Sequence, residues 1–410
     1  ARFILGFLET PSEGSTARYV SYTTETEGGF SEVVYDAARL DGITRNDDGT
    51  FQYKFEEALP ANYAAGQTHQ IAGQFRRIFP ASGETYVYNL AETFRPDGGA
   101  VSETREIVST QSCNQCHSRI EEHGGVRREA QLCIMCHNQQ SFDADTGNAV
   151  DFAEMIHKIH RGSDLPSVQD GEPYQIVGFG GRVFDYSSVV FPQDVRNCTT
   201  CHQDAAQADF YKTQPTLEGC ASCHDRTWFG DPDVTPAGFT NHTGGEHTTN
   251  RLCAQCHTAE APGVSPIDRA HLIPTESESA PGLMFAIDGV SSLPLPTKQG
   301  GTQVMIDFTA TDGSGAPIED LSELSTVAAT IAYPAPEYET FVRENILGQS
   351  PGTLTNNGGG AYTYTFAAVL DDSEATYSVA MEGRRSFEFR DETFTQGTSN
   401  NAQTYFTLNN

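Results

Sequence analysis

All ten cysteines of this 410-residue chain lie in five copies of one pattern, Cys-x-x-Cys-His. In this pattern the two thiols bond covalently to the vinyl groups of a porphyrin, and the adjacent imidazole coordinates the porphyrin iron. The spacing therefore predicts five covalently attached haem c groups. The predicted attachment residues are Cys113, Cys116, Cys133, Cys136, Cys198, Cys201, Cys220, Cys223, Cys253 and Cys256, and the predicted iron ligands are His117, His137, His202, His224 and His257.

Two other kinds of structure also use paired cysteines. Cys-x-x-Cys pairs form structural zinc sites, and ten cysteines in an exported chain could form five disulfides. Neither alternative explains why histidine, which contributes only 12 residues, follows the second cysteine in all five copies. The repeated histidine favours haem.

Each haem iron has a second axial position, and its occupant decides the chemistry. A second imidazole leaves no position for a substrate, so such a haem can only pass electrons. His157 and His160 stand three apart on a helix predicted at 151–160, so they project in directions about 60° apart and can serve different haems. The predicted second ligands are His123, His157, His160, His242 and His271.

Two further histidines compete for these roles. His247 lies five residues after His242, and the choice between them is left open. His69 is predicted to lie on the surface of a strand, and the alternative is that it ligates a haem of a neighbouring subunit.

The composition is strongly acidic, with 55 acidic and 25 basic residues and a formal net charge of −30. Such a charge excludes nucleic acid as a partner and favours cations, cationic proteins or positively charged mineral surfaces.

No apolar run approaches the ~20 residues that span a bilayer, so no transmembrane segment is predicted. Because haem c is attached outside the cytoplasm, we expect an exported chain whose signal and any lipid anchor lie outside this sequence. Calcium could bind near Asp143 and Asp145, although no complete ligand loop is present.

The motifs divide the chain into three zones, which we predict to be a β domain at 1–108, a pentahaem domain at 109–278 and a second β domain at 279–410. Alternating residues after turn signals predict strands in both flanks. The fold class is thus a multidomain chain in which two β-sandwich or barrel-like domains flank a mostly irregular and α-helical haem domain. Within that haem domain, residues 171–191 predict a hairpin. The predicted strands of the flanks are 50–55, 85–90, 303–309, 326–333 and 361–366.

The two flanks also resemble each other, which predicts an internal duplication. The second flank has an early segment, 302–333, for which the first flank has no room. We therefore expect that the first β domain lacks its opening strands and that the chain is a segment of a longer parent. The matched stretches are 49–55 with 360–366, 68–77 with 376–385, and 85–87 with 404–406.

Several stretches of the haem block resemble the outer-membrane multihaem (decahaem) c-type cytochromes of the OmcA/MtrC type. The resemblance implies β domains alternating with pentahaem domains, haems with two histidine ligands, and a location at the outer-membrane surface or outside the cell. This chain departs from the family in having five motifs and no cysteine in the second β flank, so a disulfide that some members carry there is absent. The matching stretches are 113–125, 132–138, 150–162, 191–193, 242–245 and 270–271.

The function that the resemblance implies is extracellular electron transfer. The acceptors would be metal oxides, soluble metal complexes, flavins or partner cytochromes, including an outer-membrane conduit. Catalysis is not expected, because a multihaem reductase of small oxyanions needs an iron with an open position and the chain has more histidines than its irons need. A subunit of a haem filament, joined through open sheet edges, is the other alternative.

Overall fold

The computed structural model describes residues 1–9, 16–27, 30–34, 36–37, 42–56, 58–296, 300–348, 352–371 and 375–408. The chain divides into two compact units, Ala1–His271 and Leu272–Asn410. Within the described residues, no helix is both long and apolar enough to span a bilayer.

The first unit begins with an antiparallel sheet in the order β2-β1-β8-β9, and β5 also pairs with β1. Two small hairpins, β3–β4 and β6–β7, accompany it. The strands are β1 (Arg2–Glu9), β2 (Arg18–Ser21), β3 (Thr24–Glu27), β4 (Phe30–Val33), β5 (Asp36–Ala37), β6 (Ile43–Arg45), β7 (Phe51–Tyr53), β8 (His69–Ile78) and β9 (Thr85–Phe94).

The rest of the first unit is built from short helices and turns. The helices are α1 (Thr110–Cys113), α2 (Ala130–Cys136), α3 (Phe152–Arg161), α4 (Pro166–Gln169), α5 (Phe210–Thr213), α6 (Leu217–Cys223), α7 (Cys253–Cys256) and α8 (Ile267–Ala270). Strands β10 (Gln175–Gly178) and β11 (Arg182–Asp185) form the predicted hairpin, and β12 (Thr227–Trp228) pairs with β13 (Thr240–Asn241). Turns of 3₁₀ helix lie at Gly162–Asp164, Phe179–Gly181, Cys198–Thr200, Pro232–Val234 and Asn250–Leu252.

Helix α3 lies where the sequence predicts it, because Asp151 caps its start and Gly162 ends it. The carboxylate of Asp151 accepts hydrogen bonds from the backbone N–H groups of Ala153 and Glu154, which no helical carbonyl can satisfy. Gly162 follows the last turn with φ at +45°, a conformation that favours glycine.

The core of the first sheet includes part of the haem block. Ile4 and Leu8 of β1 are buried together with Leu132 and Met135 of α2. These two residues are three apart in α2 and therefore share one face of the helix. The second haem motif, which ends α2, is thus attached directly to the sheet.

The second unit is a β-sandwich. One sheet has the order β14-β15-β19-β18, and the other has β17-β16-β20-β21 with β22 also paired to β20. Alternate residues such as Phe308, Tyr364, Ile331 and Val379 point inward from both sheets into one core. The strands are β14 (Met284–Pro294), β15 (Thr302–Thr311), β16 (Thr326–Tyr333), β17 (Thr340–Asn345), β18 (Thr353–Gly358), β19 (Ala361–Leu370), β20 (Tyr377–Phe389), β21 (Glu392–Gly397) and β22 (Ala402–Phe406), with 3₁₀ turns at Pro274–Glu276 and Leu321–Glu323.

The strand pairing supports one part of the predicted duplication and contradicts another. His69 and Tyr377, which the sequence aligns, each begin a long strand with antiparallel neighbours on both sides. Thr85 pairs with Ile78 at the far end of β8, whereas Thr404 pairs with Val379 near the start of β20. The similarity of 85–87 to 404–406 therefore joins positions that are not equivalent in the two sheets.

We predict that Met135→Ala destabilises the first unit by about 2–5 kcal/mol, because this side chain of α2 is fully buried against the first sheet. Denaturation of the full protein with guanidinium chloride measures the change. Val264→Ala is the control, because Val264 is 83% exposed and its truncation should change stability by less than about 0.5 kcal/mol. Equal midpoints for the two variants would contradict this account of the core.

Candidate functional site

The five Cys-x-x-Cys-His motifs share one backbone geometry. In each, the histidine N–H donates a hydrogen bond to the carbonyl oxygen of the first cysteine, with N–O distances of 2.8–3.1 Å. This closes a single helical turn, from which both thiols and the imidazole project. The sequence pattern is thus converted locally into five equivalent units, each able to hold one porphyrin.

Each motif histidine faces a second histidine from elsewhere in the first unit. The distances between ring centroids fall in a narrow range, from 5.9 to 6.2 Å. The pairs are His117 with His160, His137 with His123, His202 with His157, His224 with His271, and His257 with His242. All ten predicted ligand histidines are therefore brought together two by two.

The separation suits a metal ion between the two rings. Imidazole nitrogens bind metals at about 2 Å, and the nitrogen lies about 1 Å from the ring centroid, so two imidazoles on one metal hold their centroids roughly 6 Å apart. The five observed separations match this value.

Helix α3 connects two of the five units. His157 reaches His202 of the third motif, and His160 reaches His117 of the first motif. A hydrogen bond of 3.0 Å from the Ser112 hydroxyl to the Gln203 carbonyl joins the same two motifs. The first and third motifs are therefore close neighbours.

Backbone carbonyls orient several of the rings. The Nδ1 atoms of His137, His160 and His271 lie 2.9, 2.9 and 3.0 Å from the carbonyl oxygens of Val150, Ile156 and Ile267. A neutral imidazole that donates its Nδ1–H in this way presents its Nε2 lone pair on the opposite side of the ring. This arrangement is typical of metal-ligating histidines.

Burial favours the neutral form of several of the paired imidazoles. Desolvation lowers the pKa of His137, His157 and His224, and it lowers the pKa of His202 to about 4. Only a neutral imidazole has a free lone pair, so protons do not compete with a metal for these rings near neutral pH.

The two remaining histidines have other contacts. The ring of His247 lies 5.2 Å from the ring of His242, and it is His242 that faces the motif ring of His257.

His69 is fully buried, with Nε2 2.7 Å from the Tyr22 hydroxyl and Nδ1 3.0 Å from the Gln67 carbonyl oxygen. The prediction of His69 as a surface residue is wrong, because the strand position it shares with Tyr377 points into the core. Its two bonded nitrogens also argue against the alternative role as a ligand for a neighbouring subunit.

The donor set fits haem c. Each unit offers two thiols and two opposed imidazoles, which is the complete protein side of a covalent haem with two axial ligands. Among the described residues, the buried hydroxyls of Tyr19 and Tyr174 have no hydrogen-bond partner in the protein, and haem carboxylates are acceptors for such groups. The fit is thus to a haem rather than to a bare metal ion.

At the predicted calcium site, the carboxylate of Asp143 is already hydrogen-bonded within the protein. The Asp143 carboxylate already accepts hydrogen bonds from the backbone N–H groups of Asp145 and Val177 and from the Thr146 hydroxyl. In the described part of the chain, no three acidic, histidine or cysteine side chains form a metal-binding group.

Sequence reasoning did not identify the residues that support the ligands. Asp151 begins the helix of His157 and His160, and Arg18, from a distant strand, contacts it. The signal for Asp151 was present, since aspartate directly before an amphipathic helix is a preferred N-cap. The contact of Arg18 with Asp151 had no local signal.

Five one-turn motifs, each with a second imidazole opposite its own, define a multihaem c-type cytochrome. Residues 105–271 match the family described as outer membrane cytochrome MtrC/MtrF-like, domains II/IV. The resemblance to OmcA/MtrC-type outer-membrane multihaem cytochromes is therefore confirmed. The family description also agrees with the predicted location, outside the cytoplasm at the outer-membrane surface or beyond it.

Individual proteins are also similar to the chain. The chain is 24% identical over 191 residues to the multihaem cytochrome MtrC of Shewanella baltica (strain OS185), an alignment that covers 44% of this chain and 28% of that protein. The solved structure of the outer-membrane decahaem cytochrome OmcA matches with a TM-score of 0.63 at 18% identity, over 99% of this chain and 64% of the other. The structure of MtrC from Shewanella baltica OS185 matches with a TM-score of 0.59 at 17% identity, over 98% and 62%.

These matches confirm the predicted fold class, with β domains flanking a helix-poor haem domain. The chain spans less than two thirds of the length of each of these relatives. The boundaries predicted at 108 and 278 stay predictions.

We predict that Gly162→Ala disturbs the end of α3, where His160 lies. An added Cβ would overlap the carbonyl oxygen of Val189, whereas at Gly171 an added Cβ meets nothing within 4 Å. Both glycines have positive φ, so both alanine variants carry that strain of about 1–2 kcal/mol. Gly162→Ala should lose a further roughly 1–3 kcal/mol to the overlap. Thermal or denaturant unfolding compares the two variants, and equal losses would contradict the prediction.

Proposed function

We propose that the five histidine pairs are the axial ligands of five haem c groups, so that no iron has an open position. The observation that carries this proposal is that five of five motif histidines face a second imidazole at 5.9–6.2 Å. Haem c with two imidazole ligands exchanges single electrons and does not bind substrate at the iron. The protein is then an electron relay, and its residues attach, ligate and insulate the cofactors.

We propose that the first and third motifs hold neighbouring haems. A hydrogen bond of 3.0 Å from the Ser112 hydroxyl to the Gln203 carbonyl joins the two motifs, and helix α3 supplies the second imidazole of both.

The proposed biological role is extracellular electron transfer at the outer-membrane surface. The similarity of the chain to outer-membrane cytochromes supports this role, and so does its charge of −30, which favours cationic partners and metal ions. The proposed partners are other multihaem cytochromes or an outer-membrane conduit, and the proposed acceptors are metal oxides, metal complexes or flavins. A calcium ion and assembly into filaments stay predictions.

A reductase of small oxyanions is the less favoured alternative. Such an enzyme needs at least one iron with a free or weakly held position for its substrate. The five opposed pairs use every motif histidine, which argues against a free position.

The first test of this proposal is the native protein itself. Its intact mass should exceed that of the polypeptide by five haems. The oxidised protein should show low-spin spectra without a high-spin component, because every iron has two strong-field ligands, and carbon monoxide should bind poorly to the reduced form. A fully loaded sample with substantial high-spin signal would refute axial ligation by two histidines.

A second test separates the two neighbouring histidines. We expect His242→Ala to convert one of the five haems to the high-spin form, because His242 faces His257 at 6.0 Å. His247→Ala is the matched control and should leave the spectrum unchanged. Electron paramagnetic resonance of the oxidised variants measures both results, and the reverse pattern would assign the ligand to His247.

A further inference from the structure

A group of charged side chains, most of them buried, links the first sheet to the haem block. It contains Arg18, Arg105, Asp151 and Glu218, and we refer to it as the Arg18 cluster. Nη2 of Arg18 lies 3.1 Å from the Glu218 carboxylate, and Nη1 lies 3.7 Å from the Asp151 carboxylate. The side chains of Arg18 and Asp151 are only 10% and 14% exposed. Charges with so little exposure are weakly screened by water, so they act over longer distances than surface charges.

The second arginine of the cluster is held beside the first. Nη1 of Arg105 donates a 2.8 Å hydrogen bond to the carbonyl oxygen of Ala17, the residue before Arg18. Burial, and next the like charge of Arg18, lower the pKa of the Arg105 guanidinium to about 10. The Arg105 guanidinium therefore stays charged near neutral pH, and the carboxylates of Asp151 and Glu218 lie close to both arginines.

Asp151 lies between two residues that bond to a ligand histidine. The residues on either side of it both bond to His137, since Val150 accepts from the imidazole Nδ1 and the Phe152 N–H donates to the His137 carbonyl. Asp151 also begins the helix that carries His157. Burial lowers the pKa of both imidazoles, and the Asp151 charge opposes this lowering in each. The Asp151 carboxylate is thus within electrostatic reach of His137, in the second motif, and of His157, which faces the third motif.

We propose that the Arg18 cluster sets the reduction potentials of the haems held by His137 and His157, with Arg18 and Asp151 acting in opposite directions. A positive charge near the iron stabilises the reduced form, and a negative charge stabilises the oxidised form. Arg18 and Asp151 are therefore positioning and tuning residues rather than ligands. This inference rests on the proposed function, because it requires haem at these two motifs.

A purely structural role makes a different prediction. If the ion pair only holds the sheet against α3, removing either partner loosens the same contact, and both substitutions change the protein in the same way. If the charges tune the potential, the two substitutions have opposite signs. The sign of the change therefore separates the two roles.

The experiment uses the full haem-loaded protein and follows its reduction by spectroelectrochemistry. The variants are Arg18→Gln, Asp151→Asn and the double substitution, and asparagine is chosen because it caps a helix nearly as well as aspartate. Arg18→Gln should lower the potential of the affected haems. At a fixed solution potential their ratio of reduced to oxidised iron should fall about tenfold, which corresponds to 59 mV for a one-electron couple. Asp151→Asn should raise the ratio, and the double variant should lie between the two single variants.

Arg343→Gln is the control for charge alone. It removes the same positive charge from a pair with Glu382, where both side chains are about half exposed, in the second unit. It should leave the reduction curve unchanged. A shift equal to that of Arg18→Gln would overturn the inference, because it would show a response to net charge only.

Low-spin spectra must be recorded for every variant. Retained low-spin haem with potentials that do not move, or that move in the same direction in both single variants, overturns the role of the cluster and leaves the relay function intact. If Arg18→Gln does not fold, Asp151→Asn still tests the role of the cluster, because an unchanged or lowered potential in that variant overturns it. Absence of haem from the second and third motifs of the native protein would instead remove the proposed function itself.

Discussion

The pairing of each motif imidazole with a second imidazole is the constraint on which the rest of the first unit depends. A Cys-x-x-Cys-His turn forms locally, but its opposite ring must come from another part of the chain. His157 and His160 come from one helix, His271 from beyond the last motif, and His123 and His242 from glycine-rich loops. Keeping five such pairs near 6 Å requires many short elements held together by long-range contacts rather than long regular helices.

The first β sheet takes part in this arrangement. Leu132 and Met135 of α2 are buried against it, and the Gln70 amide donates to the Gln131 carbonyl at 2.8 Å. Arg18 of β2 contacts Asp151 at the start of α3. The sheet therefore supports the second motif through packing and the ligand helix α3 through charge. This explains why the sheet and the haem block form one compact unit, while the second sandwich has a core of its own.

An acidic chain with few apolar residues must still bury its imidazoles. Hydrophobic residues make up 37% of the sequence, and burial is nevertheless the first cause of the lowered pKa of His137, His157, His202 and His224. Burial holds the rings in the neutral state that can bind a metal.

Local patterns determined much of this protein from the sequence alone. The five motifs, the helix that follows Asp151, the hairpin around Gly180 and strand β16 were predictable, because each depends on residues close together in the chain. The tertiary structure alone decided which histidine faces which motif, the burial of His69 and the contact between Arg18 and Asp151. Those outcomes depend on which distant segments of the chain meet in space. The spacing of residue types along the sequence does not determine those contacts.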